Sequence, residues 1–557
     1  MGNSKKGMDR KQFLQTAMAG AGGLTLGGMQ ALGNSVSRSD NRPNIVLIMA
    51  DDMGFSDIGP YGGEIQTPNL DRLAQGGMRF SQFYNYARCC PTRASLMTSL
   101  HPHQAGIGHM TSENDWTLRR NKQIANKSYQ GYLNRNCVTL AEALGLAGYQ
   151  TFMAGKWHVG TWRPNWPVDR GFDRYFGIIR GASDYFKPRL EKKLLLDDKP
   201  FDPPPDFYTT DYFSNYAAKF IRESNSEQPF FLYTAYTCPH WPLQAWEEDI
   251  ARYEGQYLEG WDTLREQRYQ RQLDMELFGG ETELSPRHDE AEPWEQVSDK
   301  EDWAHRMAVY AAMVDRMDQG IGQIIDALEQ KGQLENTLIM FLSDNGGCAE
   351  PYGPAPSEHP GAPGNDTAFG YYLPWANASN TPFRLYKHWT HEGGIGTPCI
   401  AHWPEGITNT DSITHQMGTV VDLMPTFLEV AGADYPDYYN DYKIPPLEGQ
   451  SLVPVLEGDE SFSHAPMHWE HEGNRAVRDG RWKLTSYYSD ANQHGVGHGE
   501  RTGRWELYDL KADRTELKNV IDEYPKVARQ MIDSYDRWAN RVGVLDWEEI
   551  NRRNGNL

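Results

Sequence analysis

The sequence predicts an α/β fold, a large β-sheet flanked by helices, with a smaller C-terminal α+β subdomain built on a short antiparallel sheet. Three observations carry this expectation. Four short, continuous apolar runs each end in polar, chemically capable residues, as buried strands do where a ligand site lies at their carboxyl ends. Stretches of helical periodicity lie between them. After about residue 457 the pattern changes to short strand-like segments followed by one amphipathic stretch.

The first run, Asn44 to Ala50, breaks into Asp51-Asp52-Met53-Gly54. The second, Tyr149 to Ala154, runs into Gly155-Lys156-Trp157-His158. The third, Pro229 to Tyr236, runs into Thr237-Cys238-Pro239-His240, and the fourth, Thr337 to Ser343, into Asp344-Asn345-Gly346-Gly347. Between the third and fourth, Met307, Tyr310, Val314, Met317, Ile321, Ile324 and Leu328 follow a three-four spacing that predicts a long amphipathic helix. Val138 to Leu146 predicts another. Residues 245–302, rich in Glu, Asp, Arg and Trp, read as a solvated helical insert beside the core. Residues 349–380, rich in Pro, Gly and aromatics and without a period, read as a long active-site loop. Met467 to Trp469, Arg475 to Asp479, Trp482 to Tyr488 and Trp505 to Tyr508 predict short strands, and Pro525 to Val542 a closing amphipathic helix. The expected division is a catalytic domain over 43–457 and a C-terminal subdomain over 458–557.

Residues 1–33 read as a signal peptide. Lys5, Lys6, Arg10 and Lys11 precede a weakly apolar stretch from Phe13 to Leu32, and Ala31-Leu32-Gly33 offers small residues for cleavage. Asp9 to Leu14 resembles a twin-arginine export motif with Lys11 in the second basic position. Residues 34–42 would be a linker, and the protein is expected to be exported to the periplasm or secreted. Its net charge of −22 over 557 residues excludes general nucleic-acid binding. No apolar run reaches the roughly 20 residues of a membrane span. Six cysteines without a Cys-x-x-Cys pair exclude a disulfide scaffold and a structural zinc site of that type.

The chemistry gathers at the strand ends. Two adjacent carboxylates repel each other unless a cation lies between them. One such pair reads as a turn or cap, but Asp51-Asp52 and Asp344-Asn345 at equivalent strand ends point to a hard divalent cation with oxygen ligands. In Cys89-Cys90-Pro91-Thr92-Arg93, Pro91 suits the first helical position, which puts both cysteines at a helix N-terminus, with Arg93 offering donors to an oxyanion. From the residues alone this segment could equally be a core turn with two buried cysteines. His158 and His240 could be buried histidines, and Lys156 and Lys387 surface lysines.

Cys89-x-Pro91-x-Arg93 followed by Ala94-Ser95-Leu96-Met97-Thr98 resembles the signature of the formylglycine-dependent sulfatases, a family of the alkaline-phosphatase-like superfamily. Ser99 stands where the family's extended motif closes with Gly. Asn44 to Asp52, Gly155-Lys156-Trp157-His158-Val159-Gly160, Pro239-His240 and Leu342 to Gly346 match further family segments in order. So do Lys387, five residues before Glu392-Gly393-Gly394-Ile395, and Trp505 to Leu510; Gly396 stands where many members have Arg. The resemblance spans roughly residues 43–545 and looks most like the bacterial arylsulfatases.

That resemblance implies an alkaline-phosphatase-like mixed sheet and hydrolysis of a sulfate monoester to an alcohol or phenol and inorganic sulfate. Cys89 would be converted to formylglycine (3-oxoalanine) by a formylglycine-generating maturation enzyme. Its hydrated form would be the nucleophile on one divalent cation, calcium ahead of magnesium, with Asp51, Asp52, residue 89, Asp344 and Asn345 as the metal set. Arg93, Lys156 and Lys387 would hold the sulfate and the diol. His240, with Lys387, would protonate the leaving oxygen, and His158 would be the base that releases sulfate. The substrate would be a sulfated small molecule or a sulfated glycan fragment. Two rival readings stand beside this one: a phosphate or phosphonate ester hydrolase of the same superfamily, and a catalytically inactive, cation-dependent glycan-binding relative. His109, Trp241, Tyr372 and Trp389 read either as substrate rim or as core, and Cys137, Cys238, Cys348 and Cys399 as core or free thiols.

Overall fold

The apolar runs assemble into one ten-stranded sheet in the computed structural model, which describes residues 41–111, 126–188, 193–280, 282–350, 370–488 and 503–553. Its strands are β1 (Asn44–Ala50), β2 (Met78–Tyr84), β3 (Gln150–Lys156), β4 (Arg174–Ile178), β5 (Leu194–Leu196), β6 (Lys199–Pro200), β7 (Phe230–Ala235), β8 (Thr337–Ser343), β9 (Gly396–His402) and β10 (Ser412–Thr419). They lie in the order β10-β2-β9-β8-β1-β7-β3-β4-β5-β6. The middle five, β8-β1-β7-β3-β4, are parallel. β9 runs antiparallel to both β8 and β2, and β5 antiparallel to its neighbours β4 and β6, so the sheet is mixed.

Every residue of β1, β7 and β8 is buried, which explains their unbroken apolar sequence. Along β1, Val46 and Ile48 face one core while Ile45, Leu47 and Met49 face the other. Burying such a side chain contributes about 1.5–3 kcal/mol. The first core is closed by the helix Lys300–Gln330, whose seven periodic positions are all buried. The second is closed partly by the helix Cys89–Thr98, buried along its whole length.

Register sets the site. Ala50 lies opposite Ser343, Met49 opposite Ala235, and Gly155 opposite Ala235. The carboxyl ends of β1, β3, β7 and β8 are therefore level on one edge. Gly155 takes φ +121°, and a Cβ there would stand 1.9 Å from the Ala235 carbonyl oxygen. Only glycine lets β3 end so close against β7.

Several expectations need correction. Lys156 does not follow its strand but ends it. The helix at the cysteine motif starts at Cys89, so Pro91 is its third residue and not its first. The insert over 245–302 is solvated on one side only, and its other side is part of the core. Ile250, Tyr253, Tyr257, Trp261, Leu264 and Trp294 join the main core, and Arg268 is fully buried there on Asp57 and Glu64. Composition alone does not separate these buried charges from the exposed ones around them, such as Glu247, Glu254 and Glu266. Of the segment 349–380, residues 351–369 lie outside the described residues, and Tyr372–Ser379 form a helix where a loop was expected. The leader over 1–33 and most of the linker also lie outside the described residues.

The C-terminal strands form a four-stranded antiparallel sheet, Met467–His471, Asn474–Asp479, Trp482–Ser486 and Trp505–Asp509. The helix Pro525–Val542 covers it through Ala528, Met531, Tyr535, Trp538 and Val542. Trp469 Nε1 donates to the Asn85 carbonyl at 2.8 Å, tying this sheet to the segment before the cysteine motif. Among the described residues no helix is long and apolar enough to cross a membrane.

Candidate active site

The level strand ends bring all ten sequence-predicted residues into one buried cluster. Asp51 and Asp52 leave β1, and Asp344 and Asn345 leave β8, each almost wholly shielded from solvent. Lys156 reaches from the end of β3 to place Nζ 2.5 Å from Asp51 Oδ2. Arg93, on the second turn of the cysteine helix, donates through Nε and Nη2 to Asp344 Oδ2 at 2.9 and 2.7 Å. Its Nη2 also lies 3.7 Å from Asp51 Oδ2. Lys387 Nζ donates to Asp52 Oδ2 at 2.8 Å, and Asn345 Nδ2 to Asp52 Oδ1 at 2.8 Å. His240, beyond the end of β7, brings Nε2 to 3.4 Å from both Lys387 Nζ and Asp52 Oδ2, and its Nδ1 donates to the Trp241 carbonyl at 2.6 Å. His158 joins Cys89 and Cys90, with the three ligand-type atoms within 4.8 Å of one another.

The electrostatics follow from this pairing. Burial alone would raise the Asp51 carboxyl, but Lys156, His240 and Arg93 outweigh it and hold it at about 2. Burial and the neighbouring Asp51 charge push Asp344 the other way, well above the usual carboxylate range. Burial would lower Lys156 and Lys387, but Asp51 and Asp52 respectively prevail and keep both ammonium groups charged. Burial holds His240 below its ordinary range despite Asp52. The Cys89 thiol, hydrogen-bonded by Cys90 and facing Lys156 and His158, is held well below the ordinary thiol range, while burial pushes Cys90 well above it.

Three carboxylates thus face three cations, yet among the described residues two of the site's oxygens have no hydrogen-bond partner. Asp51 Oδ1 and Asn345 Oδ1 are buried and accept no hydrogen bond. A carboxylate oxygen and an amide oxygen left open at one strand edge fit a hard divalent cation, which takes oxygen ligands of these two types.

Backbone strain concentrates here. Asp52, Ala87 and His158 take φ of +66°, +58° and +55°. Such conformations cost of order 1–3 kcal/mol each and cluster at functional sites. Two supporting carboxylates had no pattern in the sequence to mark them. Asp57 accepts from the Gly54 amide, Tyr310 Oη and Arg268 Nη1 at 2.7–2.8 Å, and so holds the loop after Asp52. Glu350 lies 2.5 Å from Arg88 Nη1 and 3.6 Å from Lys387 Nζ. Of the possible rim residues, Trp389 stacks on Tyr487 with centroids 4.6 Å apart, and His109 packs buried against Glu472. All six cysteines are free and buried.

A family model described as Sulfatase matches residues 43–433, which contain all ten of these residues. The chain belongs to the sulfatase family. A second model, N-sulphoglucosamine sulphohydrolase, C-terminal, matches residues 383–539 of this sulfatase. An arylsulfatase of Klebsiella aerogenes is 35% identical over 464 residues, covering 79% of this chain and 96% of that protein. An uncharacterized sulfatase of Schizosaccharomyces pombe is 34% identical over 548 residues, covering 90% and 94% of the two chains. Among solved structures, Ps i-CgsB in complex with k-i-k-neocarrahexaose superposes with a TM-score of 0.64 at 26% identity, covering 89% of this chain and 93% of that one. The sulfatase is accordingly a sulfuric ester hydrolase with the expected large mixed sheet.

Proposed function

We propose that this sulfatase hydrolyses a sulfate monoester, carried by a glycan fragment or a small molecule, through formylglycine formed from Cys89. The observation that supports this most is the position of Cys89. It opens a buried helix, its thiol is held well below the ordinary range, and it faces Lys156 and His158 on the edge that carries Asp51, Asp52, Asp344 and Asn345. The complex of Ps i-CgsB with a neocarrahexaose supports a carbohydrate as one acceptable carrier.

Hydrated formylglycine at position 89 supplies one hydroxyl as nucleophile and a second as the means of release, and a divalent cation, calcium ahead of magnesium, supplies charge that acidifies the first. Asp51, Asp52, Asp344 and Asn345 would hold that cation together with residue 89. Arg93 orients Asp344 through two donors on one oxygen. Lys156 and Lys387, both kept charged, stand where negative charge develops on the sulfate oxygens. His240 has its Nδ1 proton committed to Trp241, and burial keeps the ring neutral. Lys387, 3.4 Å from His240 Nε2, therefore carries the proton that this pair delivers to the departing oxygen. His158 takes the proton whose removal frees sulfate.

The test is sulfate release from a panel of sulfated saccharides and aryl sulfates, with phosphate monoesters as the rival class, on protein whose residue 89 has been checked by peptide mass spectrometry. Phosphate release exceeding sulfate release by kcat/KM would move the enzyme to the rival class. We further propose export with removal of residues 1–33, on the order of charged, weakly apolar and small residues in the leader. Native protein that still begins at Met1 would exclude it.

A further inference from the structure

A second set of ligand-type side chains meets away from the strand edge. His388, His471 and Glu472 each bring one ring nitrogen or carboxylate oxygen to within 4.8 Å of the other two, and all three residues are buried. His388 directly follows Lys387. His471 ends the first strand of the C-terminal sheet, and Glu472 opens its turn. We propose that His388, His471 and Glu472 form a second metal site, for a zinc-class divalent ion, that ties this turn to the segment carrying Lys387.

Ligand chemistry argues for the class. Two imidazoles and one carboxylate suit a borderline ion such as zinc, whereas the all-oxygen set at Asp51 suits a hard one. His471 supplies the independent observation. It is 1% exposed, among the described residues neither ring nitrogen has a hydrogen-bond partner, and Glu472 Oε1 lies 3.9 Å from Nε2. Buried polar groups are ordinarily satisfied, so a buried imidazole with both nitrogens open calls for a ligand.

The surroundings are arranged as an outer shell. His109 Nδ1 lies 2.7 Å from Glu472 Oε1, bracing the carboxylate, while Oε2 lies 3.3 Å from His388 Nδ1. The His388 amide donates to the Ala87 carbonyl at 2.7 Å, two residues before Cys89. Asn474 Nδ2 stands 3.2 Å from His388 Nε2. His388 and Glu472 hold φ of +90° and +50°, conformations that non-glycine residues seldom adopt and that here turn both side chains toward the same point.

The experiment uses the full chain, stripped with chelator, loaded with zinc in excess calcium, and desalted. Zinc is then counted by elemental mass spectrometry and its shell read by X-ray absorption at the zinc edge. The expected result is about one zinc per chain with imidazole nitrogens at about 2.0–2.1 Å. Retention should fall at least about ten-fold in His471→Ala and in Glu472→Gln and persist in Asp51→Asn. The proposal is overturned if the wild-type protein retains no zinc or if its shell lacks imidazole. It is equally overturned if His471→Ala retains zinc as the wild type does, or if Asp51→Asn loses it. Should the variants not fold, the absorption spectrum of the wild-type protein decides alone. None of these readouts depends on activity or on the state of residue 89, so failure here leaves the sulfatase mechanism standing.

Discussion

Lys156 Nζ stands 2.5 Å from Asp51 Oδ2, and neither side chain reaches solvent. The pair fixes how acid acts on this protein. Burial opposes ionisation of Asp51, but Lys156, His240 and Arg93 bring its carboxyl down to about 2 from an ordinary 3.8. A lowered carboxyl gives stability that is present above the unfolded value and lost as pH falls through the folded one. The contribution is about 2–3 kcal/mol, disappearing between about pH 4 and pH 2. Urea unfolding across that window should show this acid slope in the wild type and a flatter one in Asp51→Asn. Lys156→Met, which strands a buried carboxylate, should cost about 3–5 kcal/mol by itself and less in combination with Asp51→Asn. Strictly additive effects would mean that the two groups are not coupled.

Metal removal tests the open oxygens. With Asp51 Oδ1 and Asn345 Oδ1 buried and unpartnered, chelation should lower both sulfate release and Tm, and calcium should restore both. At about one hundred times Kd, a ligand bound only by the folded state stabilises by about 2.7 kcal/mol. The calcium-dependent gain in Tm should shrink in Asp344→Asn and in Asn345→Ala. Full activity in thoroughly metal-free protein would remove the cation from the reaction.

Much of this arrangement was legible in the chain. The four apolar runs ended within two residues of where β1, β3, β7 and β8 end, because strands buried on both faces need unbroken apolar sequence. Their polar endings became the site because parallel strands share a carboxyl edge. What stayed hidden depended on pairing across distance. The charges of 245–302 look solvated in sequence, yet Arg268 is buried on Asp57 and Glu64. Likewise Glu350 and Asp57 sit in segments with no period, and only the fold sets them against Lys387 and the Asp52 loop. The positive φ values of Asp52 and His158 carry no compositional mark, since neither residue is the glycine that usually signals them.

Cys89 and Cys90 are adjacent but not equivalent. Cys89 faces Lys156 and His158 and is the acidic thiol, while Cys90 points back, with Sγ 3.8 Å from the His109 carbonyl oxygen. Peptide mass spectrometry of active protein should find residue 89 lighter by two hydrogens and a sulfur and heavier by one oxygen, with Cys90 unchanged. Cys89→Ala should abolish sulfate release and Cys90→Ala should keep most of it. The reverse ranking would shift the motif by one residue.

In the proposed mechanism His240 and Lys387 share the general-acid role, and the leaving group separates them. His240 Nδ1 is committed to the Trp241 carbonyl, Nε2 faces Lys387 at 3.4 Å, and burial disfavours a second proton on the ring. Lys387 is held charged by Asp52, so the proton resides on Nζ. A nitrophenolate leaves as a fairly stable anion and needs that proton little, whereas a sugar alkoxide needs it fully. General acid assistance is worth about 10²–10⁴-fold and should fall on the poor leaving group. Lys387→Ala and His240→Ala should therefore depress kcat/KM for a sulfated sugar or alkyl sulfate far more than for an activated aryl sulfate. His158→Ala should behave differently, giving a single burst of nitrophenol followed by arrest, because the proton it takes must be removed after the ester bond has broken. Equal losses across the leaving-group series in both His240→Ala and Lys387→Ala would reduce the pair to holding sulfate. A loss that grows with leaving-group basicity only in Lys387→Ala would assign the acid to Lys387 and leave His240 to position it.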